Sequence, residues 1–160
     1  MKEKEAQFRA VMGRHVSGIT VIACAKGDEV VAMTVGSVTS VSLKPLLLLA
    51  CIREQSRLLP ALLKAQAFSV NLLSGEQTDV SRFYGGQSEG QCPAQWHSGD
   101  GAAPSLEGAN ASLICELHSA SEAGDHSIVV GAVKRILVAP SASSSLAYVS
   151  GRYLSVPLQS

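Results

Sequence analysis

Met33-Thr34-Val35-Gly36-Ser37-Val38-Thr39-Ser40-Val41-Ser42-Leu43-Lys44-Pro45 is the stretch that sets the fold class of this chain. It is rich in β-branched residues, and it carries the hydroxyl side chains of Thr34, Ser40 and Ser42 at even spacing, the side-chain period of a strand. A strand facing water carries charge, and one facing a core carries Val, Ile and Leu; this run does neither. Small hydroxyls and a glycine leave the backbone approachable, which suits a flat polar ligand lying against main-chain amides. Far downstream, Gly124-Asp125-His126 joins a turn composition to a titratable imidazole at the start of an apolar strand.

Further strands surround this run. Val16 to Ala25 reads as a strand with Ile19, Val21 and Ala23 on one side. Lys26-Gly27-Asp28-Glu29 has tight-turn composition, and Val30 to Val35 completes a hairpin. Leu46 to Ile52 is continuously apolar and reads as a central strand. Ala67 to Leu73, Ala111 to Ser119, Ser127 to Val138 and Leu146 to Val149 follow as strands, the middle two as an antiparallel pair. Three short helices lie between them. Lys4 to His15 carries Phe8, Val11 and Met12 at helical spacing, which predicts an amphipathic helix. Arg57 to Ala65 carries Leu58, Leu59, Leu62 and Leu63; Pro60 is tolerated in the first turn, where its missing N–H is not needed, and Ser56 is placed to cap. Ser74 to Tyr84 is the third helix. Gly85 to Ser105 is a long glycine-rich loop holding the only tryptophan, Trp96, and loops of this length are commonly functional. Ser141 to Ser145 is a low-complexity surface loop.

Strands joined by short turns, with no GxGxxG and no alternating βα pattern, predict a small closed antiparallel barrel, since closure removes exposed strand edges. The 160 residues make one domain over 1–160. With aromatics at 4%, Val, Leu, Ile and Ala must fill the core. Thirteen basic residues against thirteen acidic ones give no electrostatic footprint for nucleic acid or anionic lipid. The charged start Met1-Lys2-Glu3-Lys4-Glu5 is unlike a signal peptide, and the apolar run Leu46 to Ile52 is too short to span a bilayer. The expectation is a soluble, cytoplasmic protein. Cys24, Cys51, Cys92 and Cys115 lie far apart with no CxxC, so they read as small buried hydrophobes and not as a zinc or redox site. Cys115 and His118 lack a second close-spaced pair of ligands, which argues against a metal, and no Gly-x-Ser-x-Gly elbow exists.

Taken in order, several of these motifs resemble the short-chain NAD(P)H:flavin oxidoreductases, the reductase components of two-component monooxygenases. The likeness runs through Phe8-Arg9 with Met12, Ser17-Gly18-Ile19-Thr20-Val21, Met33-Thr34-Val35 and Ser40-Val41-Ser42-Leu43. It continues through Phe68-Ser69-Val70-Asn71-Leu72, the Trp96 loop with Pro104-Ser105-Leu106-Glu107-Gly108-Ala109, Cys115-Glu116, Gly124-Asp125-His126 with Gly131, and Gly151-Arg152-Tyr153. The resemblance implies a mainly β fold, a six-stranded antiparallel split β-barrel of Greek-key, FMN-binding type with short peripheral helices. It implies a homodimer with FMN or FAD in a groove near the subunit interface, NADH or NADPH as hydride donor, and a flavin-dependent monooxygenase as recipient of reduced flavin.

Carried onto this chain, the resemblance assigns flavin contacts to Thr34, Val35, Gly36, Ser37, Ser40, Val41, Ser42 and Cys51. Backbone N–H groups and hydroxyls there suit the negative charge that a flavin develops when N5 accepts hydride. The competing reading of Ser37, Ser40 and Ser42 is that they satisfy one another and the backbone at a sheet edge. Ser56 and Arg57, at a helix N-terminus, are assigned to the flavin phosphate or pyrophosphate; the competing reading is a plain serine cap with a solvent-facing arginine. Arg53 is a second candidate for that phosphate. Phe83, next to Arg82 and Tyr84, sits where the family closes over the flavin. His126 takes the nicotinamide contact, orienting the donor more than moving protons. Asp125 fixes the turn, and Arg152 and Tyr153 border the nicotinamide pocket. Ala32-Met33, Gly36 and Lys44-Pro45-Leu46 depart from the family pattern, which leaves flavin preference and partner open. The alternative is a flavin-binding barrel that works in electron transfer or sensing without releasing reduced flavin; Gly124-Asp125-His126 argues against it. A non-catalytic barrel and a pyridoxamine-phosphate oxidase share the architecture, but no basic cluster suits the latter's substrate.

Overall fold

The structure, a computed structural model, describes residues 1–98 and 103–159. The chain begins with α1 (Lys2–Met12), β1 (Ser17–Gly18), β2 (Thr20–Lys26) and β3 (Glu29–Val35). It continues with β4 (Val38–Leu43), β5 (Leu46–Arg53), α2 (Leu58–Ala65), β6 (Ala67–Leu72) and α3 (Thr78–Tyr84). A short ribbon, β7 (Trp96–His97) with β8 (Ser105–Leu106), precedes β9 (Ala111–Ala123), β10 (His126–Val138), β11 (Ser144–Val149) and β12 (Arg152–Pro157). The loop expected over 85–105 therefore contains a ribbon, and its residues 99–102 lie outside the described residues.

The fold is mainly β, built on a seven-stranded antiparallel sheet in the order β3-β2-β6-β9-β10-β5-β4. The edge strands β3 and β4 are consecutive in the chain, separated by Gly36 and Ser37 alone. A two-residue link between opposite edges forces the sheet to curl until those edges meet at one corner. This corrects two expectations, the closed barrel read from the strand pattern and the six strands of the split barrel implied by the resemblance: the sheet has seven strands, and among the described residues no ladder joins β3 to β4. Two local features account for the open seam. The α3 helix packs on β3, with Thr34 Oγ1 donating to the Ser81 carbonyl at 2.7 Å. On the other edge, β4 shifts register between Ser40 and Ser42, a bulge that bends an edge strand. The even hydroxyl spacing thus spans two strands and a bulge, not one strand face.

One further expectation changes, and two elements gain detail. Leu46–Arg53 is the penultimate strand, not a central one. Thr20 through Cys24 are all buried, so β2 is covered on both faces: Ile22 and Cys24 join one core cluster, while Ile19 and Val21 join a second. Finally, α1 forms, but none of its residues is buried.

The first cluster packs Leu58, Leu59 and Leu62 of α2 against Ile52, Phe68, Val70 and Val129 of the sheet. Ser56 Oγ accepts the Leu59 N–H at 3.2 Å, so this serine does cap the helix. Gly131 lets β10 lie close to β6 and β9, because a Cβ there would sit 2.5 Å from Cζ of the buried Phe68. Asn71, fully buried on β6, holds three other strands: its amide donates to the Val21 carbonyl at 2.9 Å, and its oxygen accepts from Leu106 N and Ser112 Oγ. Such saturation removes the cost of burying a polar amide. A separate sheet, β1-β11-β12, flanks the second cluster. Its strand β12 was not expected from sequence.

Candidate active site

At the corner where the sheet edges meet, Met33 to Ser37, Cys51, Arg53, Tyr84, Gly85, Gly86 and His126 line a cavity of about 430 Å³. That volume lies in the range of small-molecule sites. Pairing dictates who meets here. In the β10–β5 ladder His126 is opposite Arg53 and Ile128 is opposite Cys51, so the start of β10 and the end of β5 share one rim. Cys51 and Arg53 are two residues apart on β5 and point to the same face. The two-residue turn ahead of His126 is made possible by Gly124, whose φ of +69° favours glycine.

The wall from Thr34 to Ser37 offers backbone more than side chains. Thr34 Oγ1 is committed to the Ser81 carbonyl. Ser37 Oγ donates to the Cys51 carbonyl at 3.1 Å and accepts the Cys51 N–H at 3.3 Å, standing in for a missing strand pair. Because β3 is an edge strand, one side of its main chain makes no ladder bonds. Polar character on the facing rim comes from Arg53 and His126. Asp125 Oδ1 lies 2.7 Å from His126 Nδ1, leaving Nε2 as the ring's free nitrogen. That hydrogen bond, then the charge of the imidazole, holds the Asp125 carboxyl below the usual carboxylate range.

The structure brings Thr34, Val35, Gly36, Ser37, Cys51 and His126 into one cavity, with Asp125 behind the histidine. Other candidates lie elsewhere. Ser40 borders a separate, mostly apolar cavity of about 290 Å³. Val41 stands at the bulge, and Ser42 Oγ accepts the Lys44 N–H at 3.2 Å. Ser56 caps α2, and Arg57 pairs with Glu29 at 3.2 Å in a largely exposed contact. Phe83 and Arg57 line a neighbouring cavity of about 460 Å³, together with Glu29 to Ala32, Tyr84 and Trp96. Tyr153 supports α3: its hydroxyl is 3.0 Å from Ser81 Oγ, and the Arg82 guanidinium lies 5.7 Å from its ring centroid.

Gly85 and Gly86 join the inner cavity without having been singled out, Met33 and Tyr84 join it after being named only beside assigned residues, and Arg53 enters it as more than a second choice. The Gly85-Gly86 pair after a helix pattern was a usable signal, because glycine ends helices. Arg53 follows Cys51 at strand spacing, which was also readable. Of the four cysteines, Cys24 and Cys115 are buried, and burial pushes their thiols up to about 11 and about 12; Cys51 is half-buried at the cavity and Cys92 is exposed. Among the described residues, no three His, Cys, Asp or Glu side chains gather as a metal site, and no helix is long and apolar enough to cross a membrane.

Comparison with known proteins gives the family of the chain. Residues 12–157 match the family model described as flavin reductase like domain. The chain belongs to this family. It is accordingly a flavin oxidoreductase. The reductase component of 4-hydroxyphenylacetate 3-monooxygenase from Thermus thermophilus is 38% identical over 134 residues, covering 83% of this chain and 84% of that protein. The NADH-dependent FMN reductase AsuE2 from Streptomyces nodosus subsp. asukaensis is 33% identical over 152 residues, covering 92% of this chain and 82% of that protein. Among solved structures, the flavin reductase PheA2 in its native state superposes with a TM-score of 0.89 at 30% identity, covering 96% of this chain and 99% of that one. The likeness of this flavin reductase-like chain to PheA2 thus extends over its whole described fold.

Proposed function

We propose that this flavin reductase-like protein transfers hydride from NADH or NADPH to flavin N5, with FMN or FAD bound in the inner cavity, and hands reduced flavin to a partner monooxygenase. The observation that carries this reading is the meeting of an edge-strand main-chain wall, Thr34 to Ser37, with His126 and Arg53 in one cavity of about 430 Å³. The residues fit the ligand: the cavity is roomy, one wall is backbone with its hydroxyls already committed, and the facing rim is cationic or neutral. When bound, the flavin supplies the electron-accepting ring. Main-chain N–H groups on the outer side of the β3 edge and at Gly36–Ser37 would stabilise negative charge there without reorganising. His126, fixed through Nδ1 by Asp125, restricts how a nicotinamide enters, which lowers the entropic part of the barrier.

The names of relatives support the finer points, one being an NADH-dependent FMN reductase and another the reductase component of a monooxygenase. We read the chain as a single cytoplasmic domain that works as a homodimer. The apolar face of α1 supports this pairing: Phe8, Val11 and Met12 are 68%, 63% and 49% exposed, and a second copy would cover them. The even charge balance supports neither a nucleic-acid nor a membrane partner. The test is to supply purified protein with FMN, FAD or riboflavin in turn and to follow loss of NADH or NADPH absorbance. Flavin-dependent oxidation is expected; its absence with both nucleotides overturns the proposal. Tight flavin that is never released, with no turnover of added flavin, would instead favour an electron-transfer or sensing protein.

A further inference from the structure

Behind the inner cavity lies a buried residue that the hydride-transfer reading leaves without a role. Ser81, in the middle of α3, is fully buried and so cannot touch a ligand. Its carbonyl nevertheless ties together two walls of that cavity. It accepts the Thr34 hydroxyl from β3 at 2.7 Å and the Gly85 N–H from the end of α3 at 2.9 Å, and Thr34 and Gly85 both line the cavity. A carbonyl oxygen has two lone pairs, so both bonds form at once. The approach is close: a Cβ on Gly85 would stand 2.9 Å from the Ser81 oxygen and 3.9 Å from the Thr34 Cβ. The Ser81 hydroxyl is 3.0 Å from the hydroxyl of Tyr153. Tyr153 belongs to β12, in the separate three-stranded sheet, where it stands opposite Tyr148 with ring centroids 5.0 Å apart. The Arg82 guanidinium lies 5.7 Å from the same ring, so both β11 and α3 brace it.

We propose that Tyr153 is a positioning residue: through Ser81 it fixes how far the end of α3 stands from β3, and so sets the slot in which nicotinamide and flavin meet. The proposal rests on reading the inner cavity as the site of hydride transfer. The α3 helix has seven residues, about two turns, and a helix that short depends on tertiary contacts to keep its place. Its start is held by the Gln77 amide, which donates to the Glu107 carbonyl at 2.9 Å, and by Val80 in the second core cluster. Its end carries Tyr84 to Gly86 past the cavity, and the bond from Ser81 to Tyr153 anchors that end to the second sheet. A shift there changes the width of the slot without removing any group that touches a ligand. Transfer between two rings is steep in that distance: misplacement by about 1 Å, caused far from the chemistry, can cost about a hundredfold. The β3 wall keeps its place through its ladder with β2, so flavin binding on that wall is insensitive to the tie.

Tyr153→Phe keeps the ring with its contacts to Tyr148 and Arg82 and removes the hydroxyl alone. Three quantities are read on the full chain, with the flavin and nicotinamide nucleotide that the wild type turns over fastest. These are the anaerobic rate of flavin bleaching at saturating donor, flavin affinity by fluorescence, and Tm. Tyr153→Phe is expected to slow bleaching about tenfold and to leave flavin affinity within about twofold. Its Tm is expected to fall by about 3 °C, because a buried serine hydroxyl loses its partner. Adding Ser81→Ala removes that stranded hydroxyl while keeping the carbonyl that holds Thr34 and Gly85. The double variant is expected to regain most of the Tm, since replacing both partners by apolar groups is nearly neutral, yet to bleach flavin as slowly as Tyr153→Phe. Recovery of the rate together with the Tm would show that the bond serves stability alone, and would overturn the proposal. An unchanged bleaching rate in Tyr153→Phe, or a loss of flavin affinity in place of the rate, overturns it as well. Wild-type protein that bleaches no flavin with either donor overturns the underlying reading along with this role, which keeps the two failures apart.

Discussion

The two cavities at the inner and outer ends of β3 present opposite kinds of surface. At the inner end the side chains are already occupied: Thr34 with Ser81 and Ser37 with Cys51, so the wall presented to a ligand is main chain. At the outer end the side chains are what is presented, Glu29 and Arg57 at the mouth and three rings behind them. A backbone wall tolerates changes of side chain provided the strand stays in place, whereas a side-chain wall does not. The inner cavity thus depends on where its strand lies, and the outer one on the identity of each side chain.

The largest effect is expected where the inner end does rely on a side chain. His126→Ala should raise the apparent KM for the nicotinamide nucleotide by up to about a hundredfold, since misplacing a reactant costs on that scale. Its effect on the flavin KM should be much smaller, and steady-state kinetics with each substrate varied in turn would show it. A selective loss of flavin affinity would contradict the role given to His126. Next in size is Asp125, which acts only through His126. Removing its hydrogen bond in Asp125→Ala should cost roughly threefold to tenfold in kcat/KM, while Asp125→Asn, which keeps an acceptor, should restore most of it. Equal losses in the two variants would mean that Asp125 serves the turn alone.

A pH titration sharpens the same contact. The Asp125 carboxyl is held below its unfolded range, so its bond to His126 is fully present above that range and is lost as pH falls through the lowered folded value. The His126 Nδ1 environment followed by NMR should therefore stay constant in pH through the usual carboxylate range as far as Asp125 is concerned, and lose the partner only in stronger acid. The smallest effect belongs to the backbone wall. Thr34→Val removes the bond to Ser81 and should lower stability by about 1 kcal/mol. The flavin KM should change less than about twofold, because the hydroxyl faces α3 and not the ligand. A large KM change with stability intact would show that the wall reads flavin through side chains after all.

Much of the strand content was legible because β2, β3, β5 and β6 are dense in Val, Ile, Leu and Ala and are bounded by turn residues. The strand Arg152–Pro157 was not, since it has an exposed arginine and serine and ends in proline; its pairing with β11 makes it a strand. The open seam was equally hidden. That Glu29–Val35 and Val38–Leu43 are opposite edges of one sheet follows from pairings with residues far along the chain, which local composition does not encode. In the site, Thr34 to Ser37, Cys51 and His126 were readable from motif order. The fate of the hydroxyls was not, because the partner of Thr34 lies 47 residues away. The amphipathic pattern of α1 was read correctly as a helix with an apolar face, yet among the described residues nothing buries that face.

The central claim is that the protein moves reducing equivalents from a nicotinamide nucleotide to flavin at the Thr34–His126 cavity. Anaerobic mixing of NADH, FMN and the purified protein tests it most directly, with flavin absorbance followed over time. Stoichiometric bleaching of the flavin with loss of NADH is expected for the wild-type chain, slowed severely in His126→Ala at subsaturating NADH. Bleaching no faster than in buffer without protein, for both FMN and FAD and with either nicotinamide donor, would contradict the account.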